Sequence, residues 1–380
     1  MKIPQVSVFL SYYNDADFLK SAIDSVLNQD FQDFELILLN HASTDKSIEI
    51  AHSYNDKRII HIDKDYNYGA GCGLLIRDML NAAHGKYIKL CCADDILHKD
   101  CLSVLVDFMT KHEDIDCVCS KMDFIGDNNQ SLIHKAFHEE NDFTNTEMLK
   151  LLLEGKNIVC YPTVMIRKSV LEQLPIDSGF IMDLDAQIWT SLLCRGFKMH
   201  RLQDKLISYR IHNSQTSCVF GGTLFLENIA FADIFNCIED VNYIKKLCHD
   251  VPFIEKISKE DVKYFPFVFA VHNLKGKDLS FAINGYLYIH NLMNNSDLRL
   301  DVEKKFGFTV ADFRSMYRKL PALQTFLSVE AKKLTVFQLL KLLIRRIGRA
   351  FAPKAFRQYF CFLYTKATNL IVKLKKGVNK

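Results

Sequence analysis

Short apolar runs alternate with a stretch of helical periodicity in the N-terminal part of the chain. The runs lie at 6–10, 34–39 and 87–92, and each has the length of a buried strand. Between the first two, apolar side chains recur at the spacing of a helix: Phe18, Leu19, Ala22, Ile23, Val26 and Leu27. A strand, a helix and a strand in this order form a βαβ unit, which requires a parallel sheet. The pattern therefore predicts an α/β fold.

Two adjacent carboxylates, Asp94 and Asp95, end the third apolar run. Open parallel sheets bind their ligands at the C-terminal ends of the strands. Carboxylate oxygens suit Mg²⁺ or Mn²⁺, and such ions usually bridge to phosphates. The pair thus indicates a phosphate-containing substrate. The alternative is a turn that caps a helix from about Lys99 to Lys111, and the pair alone does not decide between the two.

Polar residues follow each predicted element of the first βαβ unit. The first strand ends in Tyr-Asn, the helix ends in Gln, and the second strand is followed by Ser-Thr-Asp. The matching residues are Tyr13, Asn14, Gln29, Glu35, Ser43, Thr44 and Asp45. This segment resembles the opening of family 2 glycosyltransferases. The resemblance extends over roughly residues 4–217 and implies a GT-A doubly wound nucleotide-binding domain.

Later motifs of the same family imply roles for further residues. Arg77 resembles the Arg that approaches the nucleotide diphosphate, a task that suits a planar, permanently charged guanidinium. Asp185 takes the place of the catalytic base, with Asp183 as the second choice. His212 lies at the position of a metal ligand, together with Asp94 and, less favoured, Asp95. The implied donor-binding residues are Ser11, Tyr13, Asn14, His41, Arg77, Asp94 and Asp95.

The sequence also departs from the family pattern. Asn40 and His41 replace an acidic pair whose second member contacts the nucleobase, and a neutral imidazole still offers one donor and one acceptor. Cys92 replaces the first Asp of the family's Asp-x-Asp, and a thiol is a poor Mg²⁺ ligand. Leu184 replaces the Glu that often precedes the base. We therefore expect Asp94 to carry the main metal role.

Length and composition fit a folded protein with more than one module. The chain has 380 residues, 49% of them hydrophobic. We predict a GT-A domain at 1–220, a mainly helical module at 221–330 and a basic amphipathic tail at 331–380, with the first boundary near 218–222. The N-terminus runs straight into the first strand without a signal-like segment, and twelve scattered Cys suit a reducing cytosol.

The charge is concentrated in the predicted tail. Residues 331–380 hold thirteen Lys and Arg and no Asp or Glu, whereas the whole chain has a net charge of +3. Within 335–351, one face is apolar and another basic; the apolar face comprises Val336, Leu340, Leu343, Ile347 and Phe351. This pattern is typical of a helix that lies in a membrane interface. A basic helix packed on the acidic remainder of the chain is the alternative, and it stays open.

Together, the residues and the resemblance predict an inverting glycosyltransferase that uses Mn²⁺ or Mg²⁺. The donor would be a nucleotide sugar, a UDP-sugar first, and the acceptor a glycan or lipid-linked glycan in lipopolysaccharide, capsule or other surface-glycan assembly. We expect a cytoplasmic protein, peripheral at the inner face of the membrane through 331–380, that binds no nucleic acid. A sugar nucleotidyltransferase would need a Gly-rich basic loop that the sequence lacks. A basic-tailed nucleic-acid-binding protein would leave Asp94 and Asp185 unexplained.

Overall fold

The computed structural model describes residues 3–69, 73–133, 143–153, 156–176, 184–215, 238, 240–276 and 278–319. All of them belong to one compact unit, Met1–Leu320. Asp183, the predicted boundary near 218–222 and the predicted tail at 331–380 lie outside the described residues.

One mixed sheet forms the centre of this unit. Its strands in the described part of the chain are β1 (Val6–Tyr12), β2 (Phe34–Asn40), β3 (Ile59–Asp63), β4 (Tyr87–Cys92), β5 (Ile96–Leu97), β6 (Cys117–Ile125), β7 (Ser131–Leu132), β8 (Val164–Arg167) and β9 (Met199–Arg210). Their order is β3-β2-β1-β4-β8-β6-β9-β5, and β7 pairs with β6. Strands β3, β2, β1 and β4 run parallel, and β8 lies antiparallel between β4 and β6. The predicted parallel βαβ unit is confirmed.

The strand order reverses at β1, which has β2 on one side and β4 on the other. Ser11 stands in register with Leu39 of β2 and with Cys92 of β4. The C-terminal ends of these three strands therefore meet at one edge of the sheet. An open α/β sheet places its ligand in the crevice at such a reversal.

Helices cover both faces of the sheet. They are α1 (Leu19–Leu27), α2 (Ser47–His52), α3 (Gly73–Ala82), α4 (Cys101–Lys111), α5 (Asn145–Leu153), α6 (Lys168–Leu171) and α7 (Leu184–Cys194). Alternate residues of β1 enter different cores: Val8 packs with α1 and α4, and Phe9 packs with α3, α5 and α7. Such alternation is what the strand period of two requires when both faces are buried.

The C-terminal part of the described chain is helical, as predicted. Its helices are α8 (Val241–Leu247), α9 (Phe265–Lys275), α10 (Leu279–Asn294), α11 (Ser296–Phe306) and α12 (Val310–Lys319). Gly285 allows α9 and α10 to approach, because a Cβ there would lie 2.4 Å from the Ala270 carbonyl oxygen. Phe253 stacks on Phe267 with ring centroids 5.2 Å apart. Among the described helices, none has both the length and the apolar content that a membrane span needs.

Candidate active site

Asp94 and Asp95, the acid pair, lie in the turn between β4 and β5. One ligand atom each from Cys92, Asp94 and Asp95 falls within 4.8 Å of the other two. Asp95 is 4% exposed, and its Oδ1 accepts a hydrogen bond from the Arg210 backbone N–H at 2.8 Å. Its Oδ2 is buried and has no hydrogen-bond partner among the described residues. Burial, with the Asp94 charge beside it, raises the pKa of Asp95 well above its usual range.

Arg210 fixes this turn from the end of β9. Its Nε donates to the Asp94 carbonyl oxygen at 2.7 Å, and its Nη1 donates to the Gly126 carbonyl oxygen at 2.7 Å. Its guanidinium lies 4.6 Å from the Phe18 ring centroid. The sequence reasoning gave Arg210 no role, although it belongs to the Tyr-Arg-x-His motif that pointed to His212. Arg210 therefore joins the acid pair, β6 and β9 into one rigid corner.

His212 reaches the acid pair from the segment after β9. Its Nε2 lies 3.0 Å from Asp94 Oδ2, and its Nδ1 lies 2.7 Å from Ser214 Oγ. The ring also packs against Phe18 at 4.8 Å between centroids. The structure thus brings together two residues that are 118 positions apart in the chain and that the resemblance implied as metal ligands.

Asp15 is a further carboxylate at this edge that the sequence reasoning missed. Its Oδ2 accepts from the Tyr13 backbone N–H at 2.9 Å, and its own N–H donates to Ser47 Oγ at 2.8 Å. Burial, supported by the nearby carboxylates of Asp94 and Asp45, raises the pKa of Asp15 to about 6. Asp15 directly follows the matched Tyr-Asn. A carboxylate just after the end of a parallel strand could therefore have been predicted as a site residue.

Asn14 joins two loops by hydrogen bonds. It adopts a φ of 56°, and its Oδ1 accepts from the Thr44 N–H at 2.7 Å and the Asp45 N–H at 3.3 Å. Its own N–H donates to Ser43 Oγ at 3.1 Å. These contacts join the end of β1 to the loop after β2. They also hold the matched Ser-Thr-Asp in place ahead of α2, which begins at Ser47.

Aromatic rings gather where the nucleobase-contacting residue was predicted. The His41 ring stacks on Tyr68 at 5.4 Å and meets Tyr13 edge-on at 6.3 Å. The Tyr68 backbone N–H donates to His41 Nε2. Burial, together with the positive charge of Lys64, lowers the pKa of His41. At neutral pH the His41 ring is therefore neutral. Its Nε2 accepts the hydrogen bond from Tyr68, so its proton lies on Nδ1. The loop residue Tyr68, which no periodic pattern marked, was missed.

Asp185 lies in the first turn of α7. Its Oδ2 accepts from Asn157 Nδ2 at 2.9 Å, and its Oδ1 accepts from the Ala186 N–H at 2.7 Å. Burial outweighs these hydrogen bonds and raises the pKa of Asp185 to about 6. Trp189 anchors the helix, since its Nε1 donates to the Val159 carbonyl oxygen at 3.1 Å. A carboxylate held in this way can accept a proton near neutral pH.

Cys160 connects this carboxylate with the acid pair. Burial raises the pKa of the Cys160 thiol well above its usual range, and the charges of Asp95, Asp185 and Asp94 add to the effect. All three carboxylates thus act electrostatically on one thiol.

Arg77 makes its described hydrogen bond to a backbone carbonyl and not to the acid pair. It lies on α3, is exposed, and donates from Nη2 to the Ile176 carbonyl oxygen at 2.7 Å. This contact ties α3 to the segment ahead of α7. The role toward a diphosphate stays a prediction, as do the donor contacts of Ser11 and the exposed Tyr13.

The residues at the acid pair fit a divalent cation. A cation would give the unpartnered Oδ2 of Asp95 a ligand bond. It could also bind His212 and Asp94, whose Nε2 and Oδ2 lie 3.0 Å apart. Mn²⁺ accepts both imidazole and carboxylate ligands, whereas Mg²⁺ prefers oxygen alone. Asp94, Asp95 and His212 are therefore the residues that would hold it.

Comparison with known proteins decides the family. The model of glycosyl transferase family 2 matches residues 7–175. MJ1057 of Methanocaldococcus jannaschii, named as an uncharacterized glycosyltransferase, is 32% identical over 217 residues, which are 56% of this chain and 73% of that protein. The chain belongs to glycosyl transferase family 2.

Further comparisons agree with this assignment. TuaG of Bacillus subtilis, named as a putative teichuronic acid biosynthesis glycosyltransferase, is 28% identical over 217 residues, 56% of this chain and 82% of that protein. TarS residues 1–349 of S. aureus, crystallised with UDP-GlcNAc, superpose with a TM-score of 0.56 at 15% identity, over 83% of this chain and 90% of that chain. The predicted GT-A fold with a helical C-terminal region is confirmed.

Proposed function

We propose that this family 2 glycosyltransferase is a metal-dependent, inverting enzyme that transfers a sugar from a UDP-sugar to an acceptor hydroxyl. The observation that carries the proposal is the meeting of the acid pair and His212 at the strand-order reversal of the sheet, with the Asp185 charge acting on the same thiol, Cys160, as the acid pair. That reversal is where doubly wound sheets bind nucleotides. The matched TarS protein was crystallised with UDP-GlcNAc, which supports a UDP-sugar as the donor.

His41 and the tyrosines beside it are the proposed contacts to the nucleobase. The neutral His41 offers a single donor, Nδ1–H, because the Tyr68 N–H occupies Nε2. A donor matches a carbonyl oxygen of uracil, and the adjacent Tyr13 and Tyr68 rings offer stacking surfaces. This arrangement replaces the carboxylate that the family pattern has at this position.

A cation held by Asp94, Asp95 and His212 would neutralise charge on the diphosphate that becomes the leaving group. The chain's own contribution there is to hold Asp94 and Asp95 in place through Arg210. This rigid corner fixes where the diphosphate binds and therefore where the anomeric carbon lies.

Asp185 is the proposed general base. Asn157 and the Ala186 N–H orient its carboxylate, which accepts the proton of the acceptor hydroxyl as the oxygen attacks the anomeric carbon. The attack comes from the face opposite to the leaving diphosphate, so a single displacement inverts the configuration. No second carboxylate is required as a nucleophile, unlike in retaining glycoside hydrolysis.

Surface-glycan assembly is the proposed setting. The matched TuaG protein is named for teichuronic acid biosynthesis, and the basic residues at 331–380 would suit an acceptor at an anionic membrane. The acceptor is accordingly proposed to be a glycan or lipid-linked glycan.

A donor screen tests the proposal. The full chain is mixed with nucleotide sugars with and without Mn²⁺, and thermal stabilisation and slow donor hydrolysis are measured. We expect one UDP-sugar to stabilise the protein only when Mn²⁺ is present. Without the cation, the carboxylates of the acid pair would repel the diphosphate. Asp94→Asn should abolish turnover and weaken Mn²⁺-dependent nucleotide binding. Near-normal activity of Asp94→Asn at subsaturating Mn²⁺ would contradict the site assignment.

A further inference from the structure

Cys92 places a thiol inside the candidate metal group. It is the last residue of β4, and its Sγ lies within 4.8 Å of carboxylate oxygens of both Asp94 and Asp95. Cys91, its neighbour, points to the opposite face of the sheet and packs in the core with α1 and α4. The strand period therefore directs Cys92, and not Cys91, to the acid pair.

Two further observations indicate a ligand at this thiol. Asp95 is almost fully buried, yet its Oδ2 has no hydrogen-bond partner among the described residues. A buried oxygen without a partner is costly, and a bound cation would remove that cost. His212 Nε2 also lies 3.0 Å from Asp94 Oδ2. The sulfur and the two carboxylate oxygens thus cluster together, and the imidazole nitrogen reaches this cluster at Asp94.

This donor set differs in chemistry from a set of oxygens. Thiolate and imidazole favour Zn²⁺ over Mg²⁺ and Mn²⁺, and Zn²⁺ takes four such ligands in a tetrahedron with Zn–S near 2.3 Å. Ligands around one such ion lie about 3.5 Å apart. The spread of up to 4.8 Å among the ligand atoms of Cys92, Asp94 and Asp95 therefore requires only side-chain adjustment.

We propose that Cys92, Asp94, Asp95 and His212 form a site for a thiophilic divalent cation of the Zn²⁺ class, which binds there more tightly than Mg²⁺ or Mn²⁺. The inference rests on the metal site of the proposed function and deepens it. On binding, the metal–sulfur bond replaces the S–H bond of Cys92, and the proton leaves to the solvent. No oxidation or reduction takes place.

Metal binding to the purified full chain tests the proposal without any catalytic assay. Cd²⁺ serves as the spectroscopic probe, because a thiolate ligand gives an ultraviolet charge-transfer band, and calorimetry gives the Zn²⁺ and Mn²⁺ affinities. The variants are Cys92→Ser, Cys92→Asp and the matched control Cys91→Ser. Circular dichroism establishes that each is folded. Cys92→Asp restores the carboxylate that the family has at this position, so it keeps the comparison valid if Cys92→Ser unfolds.

We expect Zn²⁺ to bind the unmodified chain at least about 100-fold more tightly than Mn²⁺. Cys92→Ser should weaken Zn²⁺ binding about 10- to 100-fold. It should also lower the ultraviolet absorbance of the Cd²⁺ charge-transfer band by the amount that one thiolate ligand contributes. Cys92→Asp should lower this absorbance by the same amount and strengthen Mn²⁺ binding, whereas Cys91→Ser should change neither. An unchanged band and Zn²⁺ affinity in both Cys92 variants would overturn the proposal, as would an equal loss in Cys91→Ser.

The two proposals fail in different ways. If the Zn²⁺ and Cd²⁺ results are as expected but no nucleotide sugar binds or turns over with any cation, the proposed function fails and the thiophilic site stands. If a UDP-sugar turns over with Mn²⁺ while Cys92 leaves Zn²⁺ binding unaffected, the function stands and this inference fails.

Discussion

Burial raises the pKa of three carboxyl groups around the candidate site, Asp15, Asp95 and Asp185. Between about pH 4 and pH 6, a carboxyl whose pKa is raised by folding keeps its proton in the folded chain, whereas the unfolded chain has lost it. The free energy of unfolding therefore decreases as the pH rises from about 4 to above 6. Without a cation the site is electrostatically unfavourable at neutral pH, so a bound cation should stabilise the protein more than one would at an exposed acidic surface.

The first prediction concerns Asp185, whose pKa is raised to about 6. A base must be ionised, so the rate should fall about tenfold for each pH unit below 6 and be level above it. Asp185→Asn should lower the rate about 10²- to 10⁴-fold, the usual share of general-base catalysis, with donor affinity almost intact. The pH dependence of kcat/KM, which reports groups of the free enzyme, and a nucleotide titration measure the two effects separately.

Asn157→Ala is the matched control for Asp185. It removes the 2.9 Å hydrogen bond that favours the ionised carboxylate, so the pH profile should move to higher pH while the maximal rate falls less than in Asp185→Asn. Equal losses of donor affinity and rate in Asp185→Asn would instead indicate that the residue only caps α7.

The second prediction concerns His212. His212→Ala removes a nitrogen 3.0 Å from Asp94 Oδ2, so the Mn²⁺ concentration needed for half-maximal activity should rise about 10-fold or more. A metal titration of activity measures it. His290→Ala, on α10, is the control and should leave the metal requirement unchanged. If His212→Ala has an ordinary metal requirement and a reduced melting temperature, its contacts with Phe18 and Asp94 are structural.

At the scale of elements, the strand ends position the site. The buried runs at β1, β2 and β4 are predictable because a continuous apolar stretch has few alternatives inside a parallel sheet. The start of α2 is less predictable, because it depends on side-chain hydrogen bonds. Ser47, for example, donates its N–H to Asp45 at 2.9 Å and accepts from Asp15 at 2.8 Å, so α2 begins only there.

The same limit explains which site residues were missed. Asp94, Asp185 and His212 were predictable because their motifs combine residue type with spacing. Arg210 and Tyr68 act through contacts with groups far away in the chain, namely the Asp94 carbonyl oxygen and the His41 ring. No local periodicity encodes such contacts, so only the folded chain shows them.

The third prediction concerns the start of β4. Gly85 lies against β1, and a Cβ there would be 2.5 Å from the Ser7 backbone nitrogen. Its N–H also donates to Ser7 Oγ at 2.8 Å, and that hydroxyl in turn donates to Glu35 at 2.6 Å. Gly85→Ala must push β4 away from β1, so we expect a loss of about 3 kcal/mol or more in the free energy of unfolding. Urea denaturation measures it.

Gly276→Ala is the control for Gly85. Gly276 has an ordinary φ of −66°, and a Cβ there would meet its nearest atom, the Asn273 carbonyl oxygen, at 3.2 Å. We expect a change below about 1 kcal/mol. Similar losses in both variants would mean that the approach of β4 to β1 does not limit the fold.

At the scale of the whole molecule, charge is divided unevenly along the chain. Residues 331–380 carry thirteen positive charges and no negative ones, which leaves a net charge of −10 for residues 1–330. The described residues form a compact unit without that segment. A chain that ends at residue 330 should therefore fold by itself, and this allows the segment to be tested by removal.

The last prediction is that residues 331–380 attach the protein to an anionic membrane and take no part in the chemistry. Each Lys or Arg near such a surface contributes about 1 kcal/mol of attraction, and the apolar face from Val336 to Phe351 adds burial in the interface. The full chain should sediment with phosphatidylserine vesicles, and the chain truncated after residue 330 should not, while both transfer sugar to a short soluble acceptor. Lys341, Arg345 and Arg349 changed together to Gln should weaken vesicle binding and leave the apolar face intact. High salt should detach part of the full chain, because screening removes the ionic attraction and leaves the apolar one. If the truncated chain unfolds, or if the full chain ignores anionic vesicles, the segment is a packed part of the fold and the membrane prediction is wrong.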